Sequence, residues 1–378
     1  MDTLCLCGQS AYEYWNGLRD FGPTSLGHLV PVPRDSELLG VKAAWVKAAP
    51  DMSLQAESLM ELRNGCLRNL SFPLHVLVSN ASARPASMLQ IGHVWSTSIP
   101  AGSLVKLCRG VYCCTPEYLL LQLSLTLPFS LLVELAYEFC GAYSTSHWGL
   151  LPYTRCQPLT SLESLRLYAV NAKGVAGTKG AKGATKLCRA LGYAIGGSAS
   201  PMETVVAMLL SLPKKHGGYG LPRPRLNHWL QVPGTLRSVT GRSEFFCDLY
   251  WLDRRFAVEY DGRPYHTGYS NLQKDYARDN GLDDFGIGVK TLMAPDVFNV
   301  DRFDDIARQI ARRLNVRLRE ERMGKAWVEK RGQLRRELLD RDYRFRLGLA
   351  LGANECGFYP EPKTEGGGTA CGEDVPAF

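Results

Sequence analysis

Residues 244–262 read EFFCDLYWLDRRFAVEYDG, two runs of alternating apolar and polar residues joined through Leu252, Asp253, Arg254 and Arg255. A period of two is the mark of half-buried strands, so the stretch predicts an antiparallel hairpin. With the turn centred on Asp253 and Arg254, Asp248 faces Glu259. That pairing gathers Cys247, Leu249, Trp251, Phe256, Val258 and Tyr260 on one face and leaves Asp248, Glu259 and Asp261 on the other. A slip of one residue would scatter both sets. A four-residue loop keeps the same pairing, and because LDRR has weak turn chemistry the apolar pattern carries the register.

Directly opposed side chains in such a pair sit about 5 Å apart at Cβ, where two carboxylates repel by on the order of 3 kcal/mol at an effective dielectric near 20. A divalent cation offsets that repulsion, and Mg2+ (or Mn2+) prefers a few carboxylates completed by water and substrate phosphate. Ion pairs from Arg254, Arg255 or Arg263 would offset it too, without catalytic meaning. Three neighbours point to the cation. Asp261 crowds a third acid onto the face, His266 lies just past the strand where it could orient or deprotonate a water, and Glu203 sits on the preceding helix. Glu203 has a rival role, because Ser200-x-x-Glu203 is a capping-box spacing, and the spacing leaves both open.

Around the hairpin the order of elements reads as α/β. SPMETVVAMLLSLP is a helix with Ser200 as cap and Pro201 at its first position, PRPRLNHWLQV a strand entered through a proline turn, SNLQKDYARDNGLDDFG a helix stopped at Gly286, IGVKTLM a strand, and VDRFDDIARQIARRL a helix capped by Asp301. Helix, three strands, helix, strand, helix describes a mixed sheet flanked by helices.

Towards the N-terminus, LHVLV and KLCRGVYCC predict strands, and Thr115 with Pro116 opens a helix. The greasy run LLLQLSLTLPFSLLVELAYEF carries Gln122, Pro128, Glu134 and Glu138, which predicts a core helix broken near Pro128 rather than a membrane span. The expected organisation is a mixed α/β unit over 1–170, a Gly/Lys-rich connector over 171–186, the α/β unit over 187–316, a basic helical extension over 317–353 and a disordered tail over 354–378.

Composition sets the class. At 378 residues, 45% hydrophobic and 21% charged, the chain is long enough for two domains of an ordinary globular protein. The opening MDTLCLCGQSAYEYW lacks the basic flank and apolar run of a secretory signal, so a cytoplasmic protein with its twelve cysteines reduced is expected. Cys5/Cys7 and Cys113/Cys114 have neither CxxC spacing nor a nearby histidine pair, which argues against structural zinc. Net charge is +7, and between Arg302 and Arg346 fifteen Lys or Arg stand against eight Asp or Glu. That suits a phosphate-bearing partner, and equally a solvated helix laced with ion pairs. AKGVAGTKGAKGATK never gives GxxxxGK followed by Ser or Thr, so a P-loop is excluded and a basic connector remains.

Taken together, SPMET, LPRPRLNHW, CDLYW, VEYDG followed by a histidine, KDYARDNGL and GIGVKTL over about residues 183–315 resemble the nuclease-like domain related to very-short-patch-repair endonucleases, a branch of the PD-(D/E)XK restriction-nuclease fold. The resemblance implies a restriction-endonuclease-like mixed sheet, metal-dependent hydrolysis of DNA in repair or phage defence, and Mg2+ or Mn2+ as cofactor. It maps metal ligation onto Glu203, Asp248, Glu259 and Asp261, catalysis onto Asp248, Glu259, Asp261 and His266, and the helix acids and bases onto Asp275 and Arg278. The wider pattern has a lysine where this chain has Asp261, so His266 or Lys290 on the next strand would take the proton-transfer role. Lys179, Lys182, Arg278, Arg312 and Arg313 are the expected contacts to DNA. If the site does not cleave, a DNA-binding regulator or antitoxin on the same fold is the alternative. Residues 1–170 are similar, in HVWSTSIP and RGVYCCTPEYLLLQL, to the antitoxin of a type IV abortive-infection system, which implies a protein partner through that unit and carries over no functional residues.

Overall fold

The computed structural model describes residues 4–20, 67, 70–95, 99–100, 102–108, 110–145, 153–174, 180–232, 237, 243–262, 286–318 and 324–340. Lys179, Arg263, His266, Asp275, Arg278, the helix expected over 270–286 and the tail over 354–378 lie outside the described residues (Gly286 apart).

Two mixed sheets with helices packed against them make the chain α/β. The first is ordered β3-β2-β1-β5-β4 and comprises β1 (Leu4–Leu6), β2 (Leu74–Val78), β3 (Gln90–Val94), β4 (Leu104–Cys108) and β5 (Val111–Cys114). Central β1 runs parallel to β5 and antiparallel to β2. β1 and β2 are buried at every residue, as expected of central strands covered on both faces. Helix α1 (Gly8–Asp20) follows β1. The greasy run forms two helices, α2 (Pro116–Leu123) and α3 (Phe129–Phe139), separated at Pro128 as its sequence requires. Thr115 caps α2 by accepting the Tyr118 amide at 3.4 Å. Among the described residues no helix is long and apolar enough to cross a membrane. A two-stranded pair, β6 (Tyr143–Ser144) with β7 (Thr154–Arg155), then leads to α4 (Leu162–Lys173) and α5 (Ala184–Leu191).

The second sheet is ordered β11-β10-β9-β8: β8 (Arg225–Gln231), β9 (Glu244–Trp251), β10 (Phe256–Asp261) and β11 (Gly288–Met293), with α6 (Pro201–Ser211) before it and α7 (Ala294–Phe298), α8 (Val300–Arg313) and α9 (Lys325–Leu339) after. The hairpin has the register its apolar pattern demands, Trp251 pairing with Phe256, Tyr250 with Ala257 and Leu249 with Val258. Leu252–Arg254 make one 3-10 turn and Arg255 takes a left-handed φ of 45°, so the loop has four residues.

Two expectations are corrected here. Cys247 does not share the face of Leu249, but joins Phe245, Tyr250, Ala257 and Ile287 in a smaller apolar cluster. The β8–β9 ladder passes from Leu226–Leu249 to His228–Cys247 without pairing Asn227, whose φ of 45° disturbs the alternation. And α8 is capped by Asn299, whose side chain accepts the Arg302 amide at 3.0 Å; Asp301 lies inside the first turn.

One continuous apolar cluster runs from Leu4 to Leu338 and includes residues of both sheets, and within it α3 packs against α5, α6 and α9. The basic extension is docked along one face: Trp327 Nε1 donates to the Gly218 carbonyl at 3.1 Å, buried Arg335 donates to the Val297 and Phe298 carbonyls, and Arg331 pairs with Asp304.

Candidate active site

Beyond Leu249 and Val258 the hairpin comes apart. Among the described residues, positions 244–247 of β9 pair with β8 alone, Asp248 belongs to neither ladder of β9, and positions 259–261 of β10 pair with β11 alone. Asp248 stands at this fork on one arm, with Glu259 and Asp261 on the other. The Asp248 carboxylate substitutes for the missing ladder bond, its Oδ2 accepting the Tyr260 amide at 2.8 Å. Direct opposition of Asp248 and Glu259, expected from a regular ladder, is thereby relaxed.

Glu203 reaches the same place from α6. Ser200 accepts the Glu203 amide at 3.2 Å, and Glu203 Oε2 turns back to accept the Ala199 amide at 2.8 Å and Asn227 Nδ2 at 2.6 Å. The two roles that the spacing left open coincide, because the carboxylate caps the helix start while lying within range of Asp248. Burial first, and then the charge of Asp248, push Glu203 up to about 7. Glu259 is also buried, at 6% exposure, whereas Asp248 and Asp261 are half-buried. Beside Asp261, Tyr260 is pushed up to about 12, mainly by burial and then by that neighbouring charge.

Sequence reading missed Asn227. Its amide ties Glu203 to β8 at the point where the ladder skips a pair, and its left-handed backbone is one that Asn tolerates better than most residues. The signal was an asparagine set between the proline turn and the aromatic half of the strand.

Lys290 is corrected in the other direction. The parallel register sets it beside Val258, and Thr291 beside Glu259. Side chains alternate along a strand, so Lys290 shares the side of Val258 and Leu292 rather than that of Glu259. His266 lies outside the described residues, as do Lys179 and Arg278. Lys182 is exposed between α4 and α5, and Arg312 and Arg313 are exposed in the last turn of α8.

No family model, curated protein or solved structure matches this chain. What the site can do rests on its own chemistry. All its donors are carboxylate oxygens, the hard ligands that suit Mg2+ or Mn2+. Among the described residues no group of three or more His, Cys, Asp or Glu side chains is placed to hold a metal ion. Glu203 and Asp248 are near enough for the charge of one to bear on the other, and a Mg2+ site is commonly built from one or two carboxylates with water and phosphate filling the rest.

Proposed function

We propose that the chain is a metal-dependent DNA endonuclease whose active site is the fork of the β9–β10 hairpin, with the second sheet a restriction-endonuclease-like one. The observation that carries the reading is the fork itself. The β9–β10 ladder stops short of Asp248 and Glu259, and Glu203, reaching over from α6, is buried within range of the Asp248 charge. A divalent cation would relieve the repulsion between those two carboxylates. Glu203 and Asp248 would hold Mg2+ or Mn2+ with Glu259 or Asp261 on the facing arm, and a bound metal supplies polarisation of the scissile phosphate and an acidified water. Asn227 holds the Glu203 carboxylate towards β8, and the Tyr260 amide fixes Asp248 against β10. Trp229 on β8, 49% exposed, would give an unpaired base a ring to stack on.

The test is cleavage of supercoiled and mismatch-bearing DNA with Mg2+ or Mn2+. Activity lost in Asp248→Ala and Glu203→Gln supports the assignment; cleavage that survives Asp248→Ala refutes it.

One observation favours a second reading, a DNA-binding regulator without catalysis. Asp261 stands where the nuclease pattern has lysine, and Lys290 is set beside Val258, away from Glu259. DNA bound tightly and left intact in every metal would support that reading.

A further inference from the structure

From Ser164 to Ser243 the chain carries twelve Lys or Arg and one acid, Glu203, which is buried; this excess is larger than the net charge of the whole protein. Where α3, α5 and the turn Lys214–His216 meet, part of that charge is organised on aromatic rings. The Phe129 ring stacks on His216 with centroids 4.3 Å apart, and Tyr193 meets both rings edge-on. The Arg189 guanidinium lies 5.6 Å from the Phe129 centroid; Lys215 and Arg223 lie 5.8 and 5.9 Å from that of Tyr193. Arg223 also donates to the Gly192 carbonyl.

Three exposed cations are thus held in place by half-buried rings, which lowers the entropy lost when they meet an anion. Burial first, and then the positive charges of Lys215, Arg189 and Lys330, push the His216 imidazole below the ordinary range. The acid beside the cluster, Glu337, is buried and engaged by Ser130, and concentrated exposed positive charge raises the local density of anions and is the electrostatic footprint of a polyanion. We infer that this ring-mounted cluster of Arg189, Lys215 and Arg223 is the surface on which the sugar–phosphate backbone of duplex DNA docks. The inference rests on the nucleic-acid reading above and deepens it, adding a phosphate-contact surface in a segment separate from the C-terminal basic helices. Since the ring faces are occupied by cations, the surface reads phosphate and not base sequence.

The experiment is fluorescence anisotropy of the full chain on a labelled duplex of about 20 base pairs, in EDTA and over a series of KCl concentrations. Removing three phosphate contacts by R189Q/K215Q/R223Q is expected to weaken binding at least tenfold at low salt and to flatten the plot of log affinity against log salt by about 2 to 3. The charge-keeping variant R189K/K215R/R223K is expected to retain most of the affinity, which separates lost charge from lost fold. Unchanged affinity and slope in the neutralised variant overturn the proposal, as does a wild-type chain that does not bind duplex DNA. EDTA keeps the outcome separate from the nuclease reading. DNA bound but never cleaved leaves this surface standing, and cleavage indifferent to the triple variant removes the surface alone.

Discussion

Two buried glutamates in this protein have opposite surroundings. Glu138, on α3, is enclosed by donors: Tyr12 Oη at 3.0 Å and the Thr145 amide at 3.0 Å reach one oxygen, Thr145 Oγ1 at 2.8 Å reaches the other, and the charge of Arg19 partly counters its burial. Arg19 in turn donates to the Gly141, Tyr143 and Gln157 carbonyls, knitting α1 to the turn after α3. Glu203 also accepts from its own fold, from the Ala199 amide and Asn227, but it is set against a like charge as well. Both carboxyls are raised by burial, but at Glu138 the remaining interactions favour the charged form, whereas at Glu203 Asp248 opposes it. A nearby like charge, more than burial itself, is what separates the two, and it is the kind of perturbation that clusters at functional sites.

The largest expected effect lies on the satisfied side. Glu138→Ala removes the acceptor of the Thr145 amide and hydroxyl and the negative charge beside buried Arg19, and should cost about 3 to 5 kcal/mol in urea unfolding. Asp248→Asn should cost less than about 1 kcal/mol or stabilise the chain, because the amide oxygen can still accept from Tyr260 while a repulsion disappears. Equal destabilisation by the two would erase the contrast.

Next in size is a pH effect. The folded chain keeps the Glu203 proton to about pH 7, whereas the unfolded chain releases it near 4.5, so the unfolded state binds fewer protons in between. Stability therefore falls as pH rises through that window, by on the order of 3 kcal/mol from this group. Denaturation across pH 4 to 8 should show the fall in the native chain and a smaller one in Glu203→Gln, the residue belonging to Glu138. Added Mg2+ should recover the loss at pH 8 in the native chain only. The smallest effect belongs to Lys290→Ala, which should leave cleavage within about twofold if the register keeps that side chain beside Val258. A large loss of rate would bring Lys290 back into the site.

Much of the architecture was legible because it depends on local chemistry and period. Thr115, Pro116, Ser200 and Pro201 mark helix starts through groups within four residues, and the hairpin register follows from which of two faces can be buried. Asn299 was misread as Asp301 because both residue types cap and lie two positions apart. At the site, the acids on the hairpin were visible, but the parting of the strands was not. It depends on Asp248 competing for the Tyr260 amide and on the left-handed turn at Asn227, both set by tertiary contacts that leave no period in the sequence. The ring-mounted cations were hidden for the same reason, since Phe129 and His216 are brought together from separate elements.

Glu203 and Asp248 are proposed to take up a divalent cation together. Calorimetric titration of Mn2+ into the full chain at pH 8, without DNA, measures this. Saturable binding is expected, abolished or weakened at least tenfold in Asp248→Asn and in Glu203→Gln, while Lys290→Ala binds as the native chain does. Absence of binding, or binding indifferent to Asp248 and Glu203, would contradict it.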